Sequence, residues 1–173
     1  MSEMDLREYI RNVPDFPKPG IMFKDITPLL RSREALQYAV EALAEPFASR
    51  NVTRVAAIES RGFIFGSCVA RILNAGFVPI RKPGKLPWKS RRNEYVLEYG
   101  TDALEMHEDA VGNDDRVLLI DDVLATGGTA AAASCLIRDC GADLVGAAMV
   151  IELSFLEGRM KLNGIPVHSL ITY

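Results

Sequence analysis

The residues whose types and spacing best suit chemistry are an acid pair, Asp121-Asp122, and a small-residue segment just after it, Ala125-Thr126-Gly127-Gly128-Thr129. An apolar run, Val117-Leu118-Leu119-Ile120, leads into the acids, and an alanine-rich stretch follows the segment. That order reads as a buried strand, acids at its carboxyl end, a tight loop and a helix. In open parallel sheets, ligands bind beyond the carboxyl ends of the strands. Glycines let a loop backbone approach a ligand closely, and its N–H groups converge where the helix dipole favours an anion. Ala125 to Thr129 therefore form a candidate phosphate cradle. Asp121 and Asp122 could accept hydrogen bonds from neutral hydroxyls, or hold Mg2+ together with substrate oxygens. No Lys follows the second glycine as a Walker A loop requires, and no GxGxxG follows a strand. A plain strand–helix turn with two solvated acids is the alternative. Acids, glycines and hydroxyls all converge on one strand end, which favours a site.

Glu59-Ser60-Arg61-Gly62 also sits between a strand pattern and a helix pattern. Backbone amides plus the planar donor fork of one Arg suit a pyrophosphate. Arg81, Lys82, Lys85, Lys89, Arg91 and Arg92 form a charge block with no acid between them. Pro83, Gly84 and Pro87 prevent one helical stripe, so the block reads as a mobile loop, with a solvated basic face as the alternative. Tyr95-Val96-Leu97-Glu98-Tyr99-Gly100 alternates like an edge strand or hairpin arm returning from that loop. Taken alone, Glu98 there reads as a solvated side chain. Closing the loop over it would desolvate the carboxylate and raise its pKa. His107 and His168 have no partner at ligand spacing and read as structural or surface residues.

Parallel strands are expected at 52–58, 77–80, 117–120, 145–151 and 167–171, because each is short and apolar throughout. Helices are expected at 5–12, 33–50, 62–74 and 129–140, with Pro46 bending or ending the second and Gly141 stopping the last. A short helix is expected at 156–162. Alternating strands and helices indicate an α/β fold with helices on both faces of the sheet. The N-terminal segment precedes this alternation and is expected to fold over the sheet as a cap.

The chain has 173 residues, 49% of them hydrophobic and 25% charged, which suits a globular core and argues against disorder. Its net charge of −3 and pI near 5.5 argue against sequence-independent nucleic-acid binding as the main role. No apolar run approaches the ~20 residues of a membrane span, and the first residues are acidic where a leader would be basic. Cys68, Cys135 and Cys140 show no metal-ligand spacing and read as buried hydrophobes of a reducing compartment. A cytoplasmic protein, binding neither nucleic acid nor membrane, is expected.

The acid pair, the loop and the strand before them resemble the phosphoribosyl-pyrophosphate motif of type I phosphoribosyltransferases. The segments Phe16-Pro17-Lys18-Pro19-Gly20-Ile21-Met22-Phe23-Lys24-Asp25-Ile26-Thr27-Pro28, Glu59-Ser60-Arg61-Gly62-Phe63, Arg81-Lys82-Pro83-Gly84-Lys85-Leu86-Pro87 and Leu97-Glu98-Tyr99-Gly100 are similar, in that order, to the adenine phosphoribosyltransferase family. The resemblance spans essentially the whole chain. It implies a Rossmann-like parallel sheet flanked by helices, with a mobile active-site loop. One phosphoribosyltransferase domain over 1–173 follows, with 1–33 as a cap contributing to the base site. The implied activity is purine salvage: phosphoribosyl transfer from 5-phosphoribosyl-1-pyrophosphate to adenine, giving AMP and pyrophosphate.

The resemblance also implies roles. Asp121 and Asp122 would hold the ribose hydroxyls, and Ala125, Thr126, Gly127, Gly128 and Thr129 the 5-phosphate. Ser60, Arg61, Arg81 and Lys85 would face the pyrophosphate. Glu98 becomes the candidate general base. Backbone groups of Met22 and Lys24 would read the adenine edge, with Phe23 beside them and Leu153 against the ring; a core role is the alternative for Met22, Phe23 and Leu153. Mg2+ would arrive mainly on the substrate pyrophosphate, with no metal site of the protein's own, and the active form would be a homodimer. Two readings compete. An enzyme acting on xanthine, hypoxanthine or orotate is one; a 6-oxopurine would call for a donor such as Lys, and 145–151 offers none. A non-catalytic sensor of phosphoribosyl pyrophosphate is the other, favoured by an appended DNA-binding domain or a basic face.

Overall fold

The computed structural model describes residues 4–96 and 101–173. Its centre is a five-stranded sheet, all parallel, made by β3 (Arg54–Ile58), β4 (Gly76–Ile80), β7 (Arg116–Leu124), β8 (Asp143–Glu152) and β9 (Val167–Thr172) in the order β4-β3-β7-β8-β9. The chain first builds outward from β3 to β4, then returns to lay β7 on the other side of β3. That reversal creates a crevice beyond the carboxyl ends of β3 and β7, where open α/β sheets bind ligands.

Period-2 alternation inside the apolar runs divides the strands between two cores. Val55, Ala57, Leu118 and Ile120 face α2 (Arg33–Ala44) and α3 (Gly62–Ile72), which contribute Ala35, Ala39, Leu43, Phe65 and Val69. Ala56, Ile58, Val117 and Leu119 face α4 (Gly128–Asp139), which contributes Ala132, Ala133, Leu136 and Ile137. Both faces are covered, which is why each strand, after the arginine that opens it, carries no charge from Val55 to Ile58 in β3 or from Val117 to Ile120 in β7.

The cap is a two-stranded ribbon of β1 (Arg11–Val13) and β2 (Phe23–Asp25), followed by the short α1 (Thr27–Arg31). A helix expected over 5–12 is only a 3-10 turn, Leu6–Tyr9, because the chain turns extended at Ile10 to pair with β2. α2 ends at Ala44, and Pro46 sits in a 3-10 turn, Glu45–Phe47, as its missing N–H dictates. The basic block is not all loop. It leaves β4, turns, and enters β5 (Ser90–Val96), which pairs antiparallel with β6 (Thr101–His107). The cysteine expectation is corrected as well: Cys68 and Cys135 are exposed and Cys140 is half-buried. Cys68 falls outside the buried stripe of α3, which runs through Phe65, Gly66, Val69 and Ala70. No helix among the described residues is long and apolar enough to cross a membrane.

Candidate active site

A cleft of about 540 Å³ opens over the carboxyl ends of β3 and β7. Ten of the sequence-predicted residues line it: Met22, Phe23, Lys24, Ser60, Arg61, Asp121, Asp122, Ala125, Thr129 and Leu153. A smaller hollow of about 70 Å³ adjoins it, where Thr126 and Gly127 join Asp121, Ala125 and Thr129. Segments far apart in the chain thus meet in one place.

β7 continues past Ile120, so the acids lie within the strand beside Met149 of β8 and not at an exposed strand end. Asp121 and Asp122 are only 9% and 6% exposed. Burial, reinforced by the charge of Asp122, pushes the Asp121 carboxyl well above the usual carboxylate range. Its Oδ1 accepts the Asp122 backbone N–H at 2.9 Å. Arg61 Nε lies 2.6 Å from Asp122 Oδ2, but no N–H is aimed at that oxygen, which is left without a hydrogen bond. Buried acceptors with unused capacity at the edge of a cleft suit a ligand rich in hydroxyls.

The cradle depends on one backbone conformation. Gly127 has φ +78° and caps α4 without any side chain, so the first-turn amides have no intrahelical acceptor and stay available to an anion. A Cβ on Gly127 would also lie 2.9 Å from the Gly158 Cα, a backbone approach only glycine permits. Gly128 opens α4 beneath the Tyr95 ring. The Thr129 hydroxyl donates to Tyr95 Oη at 3.3 Å, and that phenol donates to Asp102 Oδ2 at 3.1 Å. Lys82 Nζ donates to the Tyr95 phenol at 3.1 Å and to Asp102. The β5–β6 hairpin is therefore tied directly to the cradle.

Arg81 and Lys85 do not line the cleft; they converge on Glu59, which precedes Ser60. Arg81 Nη2 lies 3.1 Å and Lys85 Nζ 2.9 Å from Glu59 Oε2, and the Lys82 backbone N–H donates to Oε1. Burial alone would raise the Glu59 pKa, but these hydrogen bonds outweigh it and hold the carboxyl below its usual range. A buried carboxylate thus gathers two cations at the rim of the Ser60-Arg61 turn. Lys82, which the sequence places in the basic block without a site role, lines the cleft itself.

On the opposite wall, the Phe23 ring meets Phe16 edge-on at 5.1 Å and lies 5.4 Å from the Arg61 guanidinium. Met22 is 50% exposed, which removes the core alternative for it. Phe23 and Leu153 are half-buried and present surface to the cleft, although Leu153 also packs on the core. The Lys24 ammonium is turned aside, 2.8 Å from Asn12 Oδ1 and 3.7 Å from the Tyr173 ring centroid. The wall offers apolar surface and backbone polar groups, a fit to a flat heterocycle. Glu98 lies outside the described residues.

Glu59, Lys82, Tyr95, Asp102 and Gly158 are the site features that sequence reasoning missed. Gly158 alone carried a signal, an isolated glycine inside a helical pattern, which marks a close packing contact.

The family model for the phosphoribosyl transferase domain matches residues 27–161. An adenine phosphoribosyltransferase of Maridesulfovibrio salexigens is 55% identical over 168 residues, covering 97% of this chain and 99% of the relative. Among solved structures, adenine phosphoribosyltransferase from Rhodothermus marinus superposes with a TM-score of 0.93 at 54% identity, covering 97% of this chain and 96% of that one. The enzyme from Saccharomyces cerevisiae, solved with adenine and an imino-altritol bisphosphate, gives a TM-score of 0.90 at 40% identity, covering 95% and 96%.

Proposed function

Because the chain belongs to the phosphoribosyl transferase domain family, we propose that its cleft joins adenine to 5-phosphoribosyl-1-pyrophosphate, giving AMP and pyrophosphate. The observation that carries this reading is the meeting of three unlike surfaces in one cleft. A glycine-opened helix N-terminus suits a phosphate, a buried acid pair suits ribose hydroxyls, and an apolar wall suits a purine. Asp121 and Asp122 accept from the ribose hydroxyls, and Ala125 to Thr129 hold the 5-phosphate. Ser60 and Arg61 face the pyrophosphate, with Arg81 and Lys85 delivered by Glu59. Met22, Phe23, Lys24 and Leu153 contact adenine.

The anomeric carbon loses its bond to the pyrophosphate oxygen as an adenine ring nitrogen bonds to it, and the proton shed by adenine passes to Glu98. Little covalent chemistry falls to the protein, so positioning and charge stabilisation dominate. Arg61, Arg81, Lys82 and Lys85 meet the charge that develops on the leaving pyrophosphate. Closure of the 82–95 arm excludes water from the electron-poor sugar.

The residues present fit Mg2+ in a limited way. No cluster of three or more potential ligands occurs among the described residues, yet Asp122 Oδ2 is a buried oxygen without a hydrogen bond. Asp121 and Asp122 would share a cation whose other ligands are substrate oxygens and water, and that cation would offset pyrophosphate charge. The domain is one unit over 1–173, with 1–33 as the cap. A homodimer is supported by apolar side chains left exposed on α3, Ile64 and Ile72. The protein is cytoplasmic.

Turnover with Mg2+ and 5-phosphoribosyl-1-pyrophosphate, offered adenine, hypoxanthine, guanine and xanthine separately, tests the assignment. Adenine alone should react. A faster reaction with a 6-oxopurine would overturn the substrate, and tight binding of phosphoribosyl pyrophosphate without any turnover would make the chain a sensor.

A further inference from the structure

Behind the phosphate cradle lies a segment none of whose residues lines the cleft or the adjoining hollow. After β8 the chain turns through Ser154–Leu156, reverses at Glu157 with φ +53°, and enters a second 3-10 segment, Gly158–Leu162. Gly158 is buried with its backbone against the cradle: a Cβ there would fall 2.8 Å from the Gly127 N and 3.0 Å from the Ala125 carbonyl carbon. Both neighbours are backbone atoms, so no side-chain rotation could relieve the overlap.

The segment is held at both ends. Leu162 is buried in the core that packs on α4. Arg159 donates from Nε to Glu152 Oε1 at 2.9 Å, from Nη2 to Glu152 Oε2, and from Nη1 to the Val167 carbonyl at 2.8 Å. Ser169 Oγ donates to Glu152 Oε2 at 2.6 Å. Glu152 closes β8 immediately before Leu153, and its side chain is buried. All three guanidinium nitrogens are thus committed to β8 and β9, and Arg159 lines neither the cleft nor the hollow. It is not placed to bind phosphate directly.

Taking the cleft as the phosphoribosyl site proposed above, we infer that Gly158 and Arg159 are positioning residues for the 5-phosphate. Gly158 is the backstop that sets the Ala125–Gly127 backbone, and the Arg159–Glu152 pair clamps that backstop to the sheet. The cradle binds through amides whose directions follow from its backbone, so a displacement of well under 1 Å misaims several donors together. The pyrophosphate turn and the base wall do not rest on Gly158 and should not respond.

The test uses two probes on the intact protein, ribose 5-phosphate and pyrophosphate with Mg2+, titrated calorimetrically against wild type, Gly158→Ala, Arg159→Gln and Arg159→Lys. Gly158→Ala should weaken ribose 5-phosphate by about tenfold or more, and raise the KM for phosphoribosyl pyrophosphate in step, as misplaced donors do. Pyrophosphate affinity and the KM for adenine should stay within about threefold of wild type, far from the loss at the displaced cradle. Arg159→Gln should show the same selective loss at smaller size. Arg159→Lys should recover part of it through its remaining contact with Glu152. Unchanged ribose 5-phosphate affinity in a folded Gly158→Ala protein overturns the inference. So do equal losses for both probes, which mark general loosening. If Gly158→Ala does not fold, the ratio of the two losses in Arg159→Gln decides by the same criterion. Wild-type protein that binds neither probe would instead overturn the reading of the cleft, and the inference with it.

Discussion

The two ends of the cleft are built on different principles. At the phosphate end the working parts are backbone amides carried by one stretch of chain, with Gly127 in close apposition to Gly158 behind it. At the base end, the parts are side chains drawn from the cap, from Arg61 and from Leu153, half-exposed and joined by ring and cation contacts. The difference follows from the ligands each suits. An anion can be held by the dipoles of one helix start, which a local segment supplies. A flat heterocycle needs two apolar faces and a polar edge, which no single segment can present. If this contrast is right, lesions at the two ends should separate cleanly in which substrate they affect.

The largest effect is expected at the proposed proton transfer itself. General-base help is worth about 10²–10⁴-fold in rate, so Glu98→Gln should lower kcat by a factor in that range. Binding of phosphoribosyl pyrophosphate should be nearly unchanged. A kcat within about threefold of wild type, far below the general-base contribution, would remove Glu98 from the chemistry.

Next is the acid pair. Exchanging a charge-assisted hydrogen bond of roughly 1.5–3 kcal/mol for a neutral one of about 0.5–1.5 kcal/mol loses about 1–1.5 kcal/mol, so replacing Asp121 and Asp122 together by Asn should raise the KM for phosphoribosyl pyrophosphate by about 30- to 150-fold. The KM for adenine should move little. Equal effects on both substrates would mean the two ends are not separable, and wild-type kinetics would exclude the pair from the site.

At the base end, Phe23→Ala should raise the KM for adenine several-fold, about what half of a buried aromatic contributes. Phe23 also faces the Arg61 guanidinium, so a small rise in the KM for phosphoribosyl pyrophosphate is expected as well. An effect on phosphoribosyl pyrophosphate larger than on adenine would show that the Phe23–Arg61 contact serves the pyrophosphate side.

The same contrast decided what could be read from the chain. The strands β3 and β8 begin and end within two residues of expectation and β7 begins within one, because a sheet buried on both faces demands unbroken apolar runs. The cradle was legible for a similar reason: acids, glycines and hydroxyls are adjacent in the sequence. Of the β5–β6 hairpin the sequence indicates only an arm at 95–100, of which 97–100 lie outside the described residues. The rest is not legible, because Arg91, Arg92 and Glu94 are exposed and the strand shows charge where a core-facing strand shows alternation. Lys82, Tyr95 and Asp102 went unnoticed because their link exists only once that hairpin forms. Glu59 was passed over for its neighbour Arg61. Its role as the acceptor for Arg81 and Lys85 depends on chain segments more than twenty positions away. The acid pair was found, but its burial was not, since β7 outlasts its apolar run by pairing with β8 as far as Leu124.

The smallest effect concerns stability and has a sign that the acid pair alone predicts. Asp121 has a folded-state pKa raised above its unfolded value, first by burial and then by Asp122. Its native state therefore binds more protons than its unfolded state between those two pKa values, and stability falls as pH rises through that window. Above the window the full penalty is present; below the unfolded value, near 3.9, it vanishes. Glu59 and Glu152 behave oppositely. Hydrogen bonds and cations depress their folded pKa values, so their stabilisation is present above the unfolded value and is lost as pH falls through the folded one. Asp121→Asn should accordingly raise the melting temperature at pH 7, each 1 kcal/mol regained being worth roughly 2–4 °C in a domain of this size. The gain should shrink as the pH is lowered toward 4, whereas Glu59→Gln should lower the melting temperature at pH 7. Protein concentration must be held fixed across the series, because dimerisation would add its own dependence. A melting temperature for Asp121→Asn at or below wild type at pH 7 would show that Asp121 is comfortably ionised in the fold. The acid pair would then cost the protein nothing to keep, and its burial would need a structural explanation instead of a ligand.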